Sequence, residues 1–213
     1  MRILAVSDEE EPWLTSRSCR ERLGDIDLVV SCGDLPARYL EHIETLLNVP
    51  LAYVWGNHDA GYLEHPPQGC VSIEGRLCDF RGLRIMGLGG SMRYSDRSFG
   101  FTEQQMRLRI GKLALLARAT GGLDLLVTHA PARGYGDLED LPHRGFESFS
   151  YYVDKLRPLY MLHGHVHLNY GRIARARTHP CGTRIVNAFG SQVIEIPDGD
   201  LREREPFLVP SIG

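Results

Sequence analysis

The chain reads as a mixed α/β fold on three observations. Strand-like and helix-like segments alternate through the first third; short apolar runs separated by glycines follow from Cys70 to Gly90; and apolar runs repeatedly end in Asp, Asn or His. The first pattern implies strands joined through helices, the second implies hairpins. Two sheets packed together with helices outside fit these patterns, although periodicity alone does not establish that arrangement.

The elements follow in order. A strand starts at Arg2 and runs to Ser7-Asp8, and Trp13 to Leu23 suggests a short helix ending near Gly24. A second strand, Leu28-Val29-Val30, leads to Gly33-Asp34; Pro36 suits the first turn of a helix running to about Leu47, before Pro50. A third strand runs from Leu51 to Trp55, ahead of Gly56. Val71-Ser72-Ile73, Arg76 to Phe80 and Leu83 to Leu88 read as a β-meander, with turns at Glu74-Gly75 and Arg81-Gly82. Thr102 is a candidate N-cap for the strongest helix, Thr102 to Thr120, which Gly121-Gly122 ends. A further helix is expected from Phe146 to Leu156, before Pro158. Two more strands are expected between Gly182 and Ile196, meeting around Gly190. With no linker or repeat, residues 1–213 are expected to form one domain.

The runs that end in polar residues carry the chemistry. There are five such ends: Ser7-Asp8, Gly33-Asp34, Gly56-Asn57-His58-Asp59, Thr128-His129 and His163-Gly164-His165-Val166-His167. Ligands gather beyond the carboxyl ends of strands in open α/β sheets. Any one of these residues alone is more often a turn residue or a structural His. Together they point to one shared metal site. Asp, Asn and His are oxygen and nitrogen donors suited to Mn²⁺, Fe²⁺, Zn²⁺ or Mg²⁺, and Cys is absent from the motifs, which argues against a structural zinc. A carboxylate such as Asp34 can bridge two ions, and two ions about 3.5–4 Å apart can clamp a phosphate and activate water.

Composition narrows the setting. A net charge of −3 and no long basic run argue against an extended nucleic-acid surface. Arg172, Arg175 and Arg177 are the nearest approach to one, and they read first as an exposed strand or hairpin face. No stretch approaches the ~20 apolar residues of a membrane span, and no cleavable leader is evident. The five cysteines form no C-x-x-C pair. They read as scattered core thiols of a reducing compartment, so a cytoplasmic location is expected.

The ordered set Asp8, Gly33-Asp34, Gly56-Asn57-His58-Asp59, His129 and Gly164-His165-Val166-His167 resembles the motif series of the calcineurin-like metallophosphoesterases, or metallo-dependent phosphatases. The resemblance implies a four-layer αββα sandwich of two mixed β-sheets flanked by helices, with a dinuclear site at one edge. It implies that Asp8 and His167 hold one divalent ion, Asp34 bridges, and Asn57, His129 and His165 hold the other. A metal-activated hydroxide would attack phosphorus in line. His58 would stabilise the phosphate or protonate the leaving oxygen, and Asp59 would orient its neighbours. One departure stands out: where the family has His two residues after the first Asp, this chain has Glu10. Three readings compete, namely Glu10 as an oxygen ligand favouring Mn²⁺, Glu10 pointing to solvent beside a weaker site, and loss of that site.

Substrate contacts are expected from Arg93, in Gly89-Gly90-Ser91-Met92-Arg93-Tyr94, and from His143. His143 lies in the polar, Gly/Pro-rich segment 130–146, which reads as a candidate lid and also holds Asp137, Asp140 and Arg144. The stretches "GGSMRY" and "HRGFESF" look similar to ones in small bacterial members of the family. The leading expectation is a metal-dependent phosphoesterase acting on a small phosphodiester or phosphomonoester, or a nucleotide-like substrate. Its alternatives are a nuclease or nucleotide pyrophosphatase on the same site, or an impaired scaffold protein on account of Glu10. No membrane partner is expected, and apolar strand edges leave room for a homo-oligomer.

Overall fold

Alternation along the apolar strands decides the layering. In β1 (Arg2–Ser7), Ile3 and Ala5 face one core while Leu4 and Val6 face another. Side chains that alternate on a pleated strand serve two faces, so a strand apolar at every position is covered on both. The computed structural model describes residues 1–94, 99–171, 174–201, 204 and 209–212, and its account excludes the side chain of Asp198.

After β1 come α1 (Cys19–Leu23), β2 (Leu28–Ser31), α2 (Ala37–Leu47), β3 (Leu51–Tyr53) and β4 (Val71–Ser72). The middle of the chain holds β5 (Arg76–Phe80), β6 (Leu83–Leu88), β7 (Ser91–Met92), β8 (Gly100–Phe101) and α3 (Glu103–Ala119). The last part holds β9 (Leu125–Thr128), α4 (Glu147–Leu156), β10 (Tyr160–His163), β11 (Ala176–Thr178), β12 (Arg184–Asn187) and β13 (Gly190–Glu195).

One sheet has the order β13-β1-β2-β3-β4, the other β11-β12-β10-β9-β6-β5. Each is mixed: β1, β2, β3 and β4 run parallel and β13 antiparallel, while β6, β9, β10 and β12 run parallel between antiparallel edge strands. Ile3, Val30, Ala52, Leu125, Leu162 and Val186 meet between the two sheets. Helices α1 and α2 cover the outside of the first sheet with Leu23, Leu40 and Ile43. Helices α3 and α4 cover the second with Met106, Ile110, Phe149 and Val153. The result is the expected αββα sandwich. Because β1, β2 and β3 are parallel, and β9 and β10 are parallel, each sheet delivers its polar strand ends to a single edge.

Several local expectations are met for the reasons given. Thr102 caps α3 in a full capping box with Gln105. Helix α4 begins after Phe146 and stops at Arg157, in the left-handed region before Pro158. The hairpin turn between β5 and β6 is Arg81-Gly82, both at positive φ as a type I′ turn requires.

Others are corrected. The segment from Cys70 to Gly90 is not a meander. Val71–Ser72 pairs in parallel with β3 in the first sheet, and the chain crosses at Glu74-Gly75 into the β5–β6 hairpin of the second. Trp13 to Leu23 is a 3₁₀ turn, Pro12–Thr15, followed by the separate α1. The hydroxyls of Thr15 and Ser16 donate to the carbonyls of Pro12 and Trp13, closing the first turn before an α-helix can propagate. The two expected tail strands are present, and they lie in different sheets, with Ala188-Phe189 crossing between them. Arg177 is on the exposed β11, paired antiparallel with β12; Arg175 donates to the carbonyls of Asn187 and Phe189; Arg172 lies outside the described residues. All five cysteines are free, three of them buried. Among the described residues, no helix is long and apolar enough to cross a membrane.

Candidate metal centre

Asp8, Asp34 and His165 each follow a strand and each take a left-handed backbone, at φ 65°, 57° and 68°. A non-glycine residue there costs on the order of 1–2 kcal/mol, so three at one sheet edge mark a constrained site. The sharp turns let main-chain amides clasp the carboxylates. The N–H of His165 donates to Asp8 Oδ2 at 2.9 Å, and the N–H of His58 to Asp34 Oδ1 at 2.8 Å. Asp59 Oδ2 accepts from the N–H groups of both Asp34 (2.8 Å) and Gly56 (2.7 Å), locking two loops together. The approach is close enough to demand glycine at Gly164, where a Cβ would stand 1.9 Å from Ser7 Oγ and 2.3 Å from Asp8 Oδ2.

Two groups of donors result. In the first, Asp34, His129 and His165 each offer a ligand atom, and these atoms lie within 4.8 Å of one another. The ring nitrogens are oriented from behind. The His129 Nδ1–H donates to the Cys32 carbonyl at 2.8 Å, which turns Nε2 toward Asn57 Oδ1 (3.0 Å) and Asp34 Oδ2 (3.3 Å). The His165 Nε2–H donates to the Pro142 carbonyl at 2.7 Å, leaving Nδ1 with its lone pair. Lone pairs and a carboxylate converging in this way require a positive centre among them, either a proton or a metal cation. In the second group, His167 Nε2 stands 3.9 Å from Asp8 Oδ1. That oxygen is buried and has no hydrogen-bond partner among the described residues, a costly state that a cation would relieve. Two ligands of one ion with bonds of ~2.1 Å stand roughly 3–4 Å apart, a separation that the His129–Asp34 pair at 3.3 Å and the His167–Asp8 pair at 3.9 Å both match.

The electrostatics agree. Burial opposes charge on His129, but the Asp34 carboxylate outweighs it and lifts the imidazole to about 9. Burial would raise Asp34, yet His129 and the His58 amide hold it well below the usual carboxylate range. Burial, with the charge of His129, drives His165 down to about 3, so it is a neutral donor. Burial raises Asp8, and it raises Asp59 to about 6. Opposed shifts packed this densely are typical of functional sites.

A cleft of about 470 Å³ opens over both groups. Asp8, Asp34, Asn57, His58, His165 and His167 line its floor, and Tyr94, Pro142, His143 and Tyr170 form its walls. Of the expected substrate contacts, His143 lines the cleft, with Nδ1 2.6 Å from Asp140 Oδ2. Arg93 does not: its guanidinium donates to the Gly100 carbonyl (3.2 and 3.1 Å) and to Gln105 Oε1 (3.1 Å), stapling β8 to the start of α3. Glu10 is exposed and is not among the residues that line the cleft. In segment 130–146, Asp137 is bound to Arg133, to the N–H of Gly134 and to the N–H of Gly145, and Arg144 donates to the Glu139 carbonyl. The segment is therefore an internally tied wall whose Pro142 carbonyl fixes His165.

Three contributors escaped the sequence reading. Tyr170 stacks on His167 at 4.9 Å and 12°, Phe189 packs on the same imidazole at 4.7 Å, and Asn187 Nδ2 donates to the Val166 carbonyl inside the His165–His167 turn. Only Tyr170 had a local signal, standing three residues after His167.

The family model described as the calcineurin-like phosphoesterase superfamily domain matches residues 1–193. No curated protein sequence matches the chain. Among solved structures, TT1561 of Thermus thermophilus aligns over 89% of this chain and 89% of its own, with TM-score 0.61 and 17% identity. GAP50, the anchor in the inner membrane complex of Plasmodium, aligns over 88% of this chain and 70% of its own, with TM-score 0.50 and 12% identity. At such identities the likeness speaks for the fold. The family match spans both sheets and every strand end that supplies the centre, and the chain belongs to the calcineurin-like phosphoesterase superfamily.

Proposed function

We propose that this protein is a metal-dependent phosphoesterase that hydrolyses a small phosphodiester or phosphomonoester at a centre holding two divalent ions. The observation that carries this reading is the pair of donor groups, Asp34/His129/His165 beside Asn57 and Asp8/His167, clasped at one cleft floor. The oxygen and nitrogen donors favour Mn²⁺ and admit Fe²⁺, Zn²⁺ or Mg²⁺. When bound, such ions supply Lewis acidity toward phosphoryl oxygens and lower the pKa of water.

The chain's own residues do the rest. Asp34 lines the same cleft as Asp8 and His167, and its carboxylate suits a bridging ligand. His58 is exposed on the cleft, with its main chain tied to Asp34, so its imidazole can donate to a leaving oxygen. Asp59 holds the Asp34 and Gly56 turns in register. His143, backed by Asp140, faces the space where a substrate would lie. The cleft volume falls in the ordinary range for small-molecule sites, ~300–1,000 Å³, which supports a small or nucleotide-like substrate over long nucleic acid. The free thiols fit a reducing, cytoplasmic setting.

Calorimetric titration of chelator-stripped protein with Mn²⁺, followed by a phosphoester turnover assay, tests the reading. Two ions per chain and turnover are expected. One ion with turnover would replace the dinuclear site by a mononuclear one, as the exposure of Glu10 favours. Absence of binding by any of the four metals would remove the enzyme reading and leave a scaffold.

A further inference from the structure

A second pocket, of about 440 Å³, opens beside the metal cleft, and the two cavities share Asp34 and His58. Its buried polar side chains, Asp59 and Tyr62, are committed to the protein. Asp59 accepts from the amides of Asp34 and Gly56, and the Tyr62 hydroxyl donates to the Leu35 carbonyl. Between these groups the lining is apolar, with Leu35, Ala37, Gly61 and the ring of Tyr62, which is fixed edge-to-face against Tyr53 at 5.5 Å. The imidazoles of His58 and His65 stand at its exposed side. The metal cleft has different walls, chiefly Tyr94, His143 and Tyr170.

We infer that this second pocket binds an uncharged, apolar substituent of the substrate, and that the substrate is a phosphodiester with one organic arm in each cavity. The inference rests on the proposed phosphoesterase reading. A phosphate held over Asp34 and His58 stands at the junction of the two cavities. A monoester has one arm and fills one of them; a diester has two arms and a single negative charge, and fills both. Against Leu35, Ala37 and the ring of Tyr62 a charged arm would lose its hydration without compensation. An apolar arm gains there in proportion to the area covered.

Gly61 makes the pocket testable. A Cβ placed there meets nothing within 4 Å, and Gly61 has an ordinary, negative φ. A larger side chain at this position therefore projects into free space, not into the core. The experiment compares kcat/KM of the Mn²⁺-loaded protein for methyl 4-nitrophenyl phosphate, 1-naphthyl 4-nitrophenyl phosphate and the monoester 4-nitrophenyl phosphate, which share one leaving group. Both diesters are expected to exceed the monoester, and the naphthyl diester to exceed the methyl diester by about tenfold or more. Gly61→Phe is expected to bring the naphthyl-to-methyl ratio close to one. Gly61→Leu, a smaller plug, repeats the test if the Phe variant does not fold. Preference for the monoester, no naphthyl preference, or a preference untouched by both variants would overturn the inference while leaving a phosphoesterase. Failure to release 4-nitrophenol from all three esters with every metal would remove both.

Discussion

The two halves of the centre are built to different standards. Around Asp34, His129 and His165, every ring and carboxylate is held from behind by main-chain groups: Cys32 and Pro142 carbonyls on the imidazoles, the His58 amide on Asp34, and Asp59 across two turns. Around Asp8 and His167 the hold is looser. Asp8 is held at Oδ2 by the His165 amide but its Oδ1 has no hydrogen-bond partner among the described residues, His167 is steadied by the rings of Tyr170 and Phe189, and Glu10 is turned to solvent. Metal affinity depends on ligand number and on how far the ligands are fixed in advance. The expected consequence is one tight and one weak ion per chain.

Substitutions break or sharpen that contrast. The largest effect is expected from His129→Ala, which should abolish the tighter Mn²⁺ phase in calorimetry and lower kcat/KM by about 10³-fold or more, the scale of losing metal charge stabilisation. If the tighter phase persisted, the ranking of the two halves would be wrong. Gly164→Ala strikes both halves, because the new methyl would overlap Ser7 and Asp8. It should cost about 1–3 kcal/mol by thermal or denaturant unfolding and lower activity by roughly 10²-fold; a variant as stable and active as the parent would show the turn to be pliant. Glu10→His, which supplies an imidazole where the family has one, should tighten the weaker Mn²⁺ phase by about tenfold with little change in the tighter one. Tightening of both phases, or of neither, would place Glu10 outside that half. The smallest effect is expected from Tyr170→Ala, which removes the ring stacked on His167 and should weaken the same phase several-fold; equal loss in both phases would mean that the ring acts on the cleft as a whole.

Much of the centre was legible in the chain because the residues that hold a metal are few and sit at strand ends. A buried strand shows itself as an apolar run; a single polar residue closing one is usually a turn or structural residue, but five runs closed by Asp, Asn and His made Asp8, Asp34, Asn57, His129, His165 and His167 stand out together. Roles set by distant partners did not. Arg93 looked available for phosphate, but the carbonyl of Gly100 and the amide of Gln105 take its guanidinium. The Pro142 carbonyl that orients His165 has no side-chain signature at all. Tyr62, Leu35 and Gly61 belong to no motif in the sequence, and only their meeting beside His58 makes a pocket.

By itself the sequence determined the kinds of element and the donor chemistry, since both follow from local periodicity and from residue type. Tertiary structure decided which sheet each strand joins: Val71–Ser72 pairs with β3 before it and not with β5 after it, and β12 and β13 part into opposite sheets. Strand pairing is a choice among distant partners with similar local patterns, and burial of both faces between helix layers makes the choice. The same packing brings the Asp8 and His167 turns, far apart in the chain, within bonding range of a single ion.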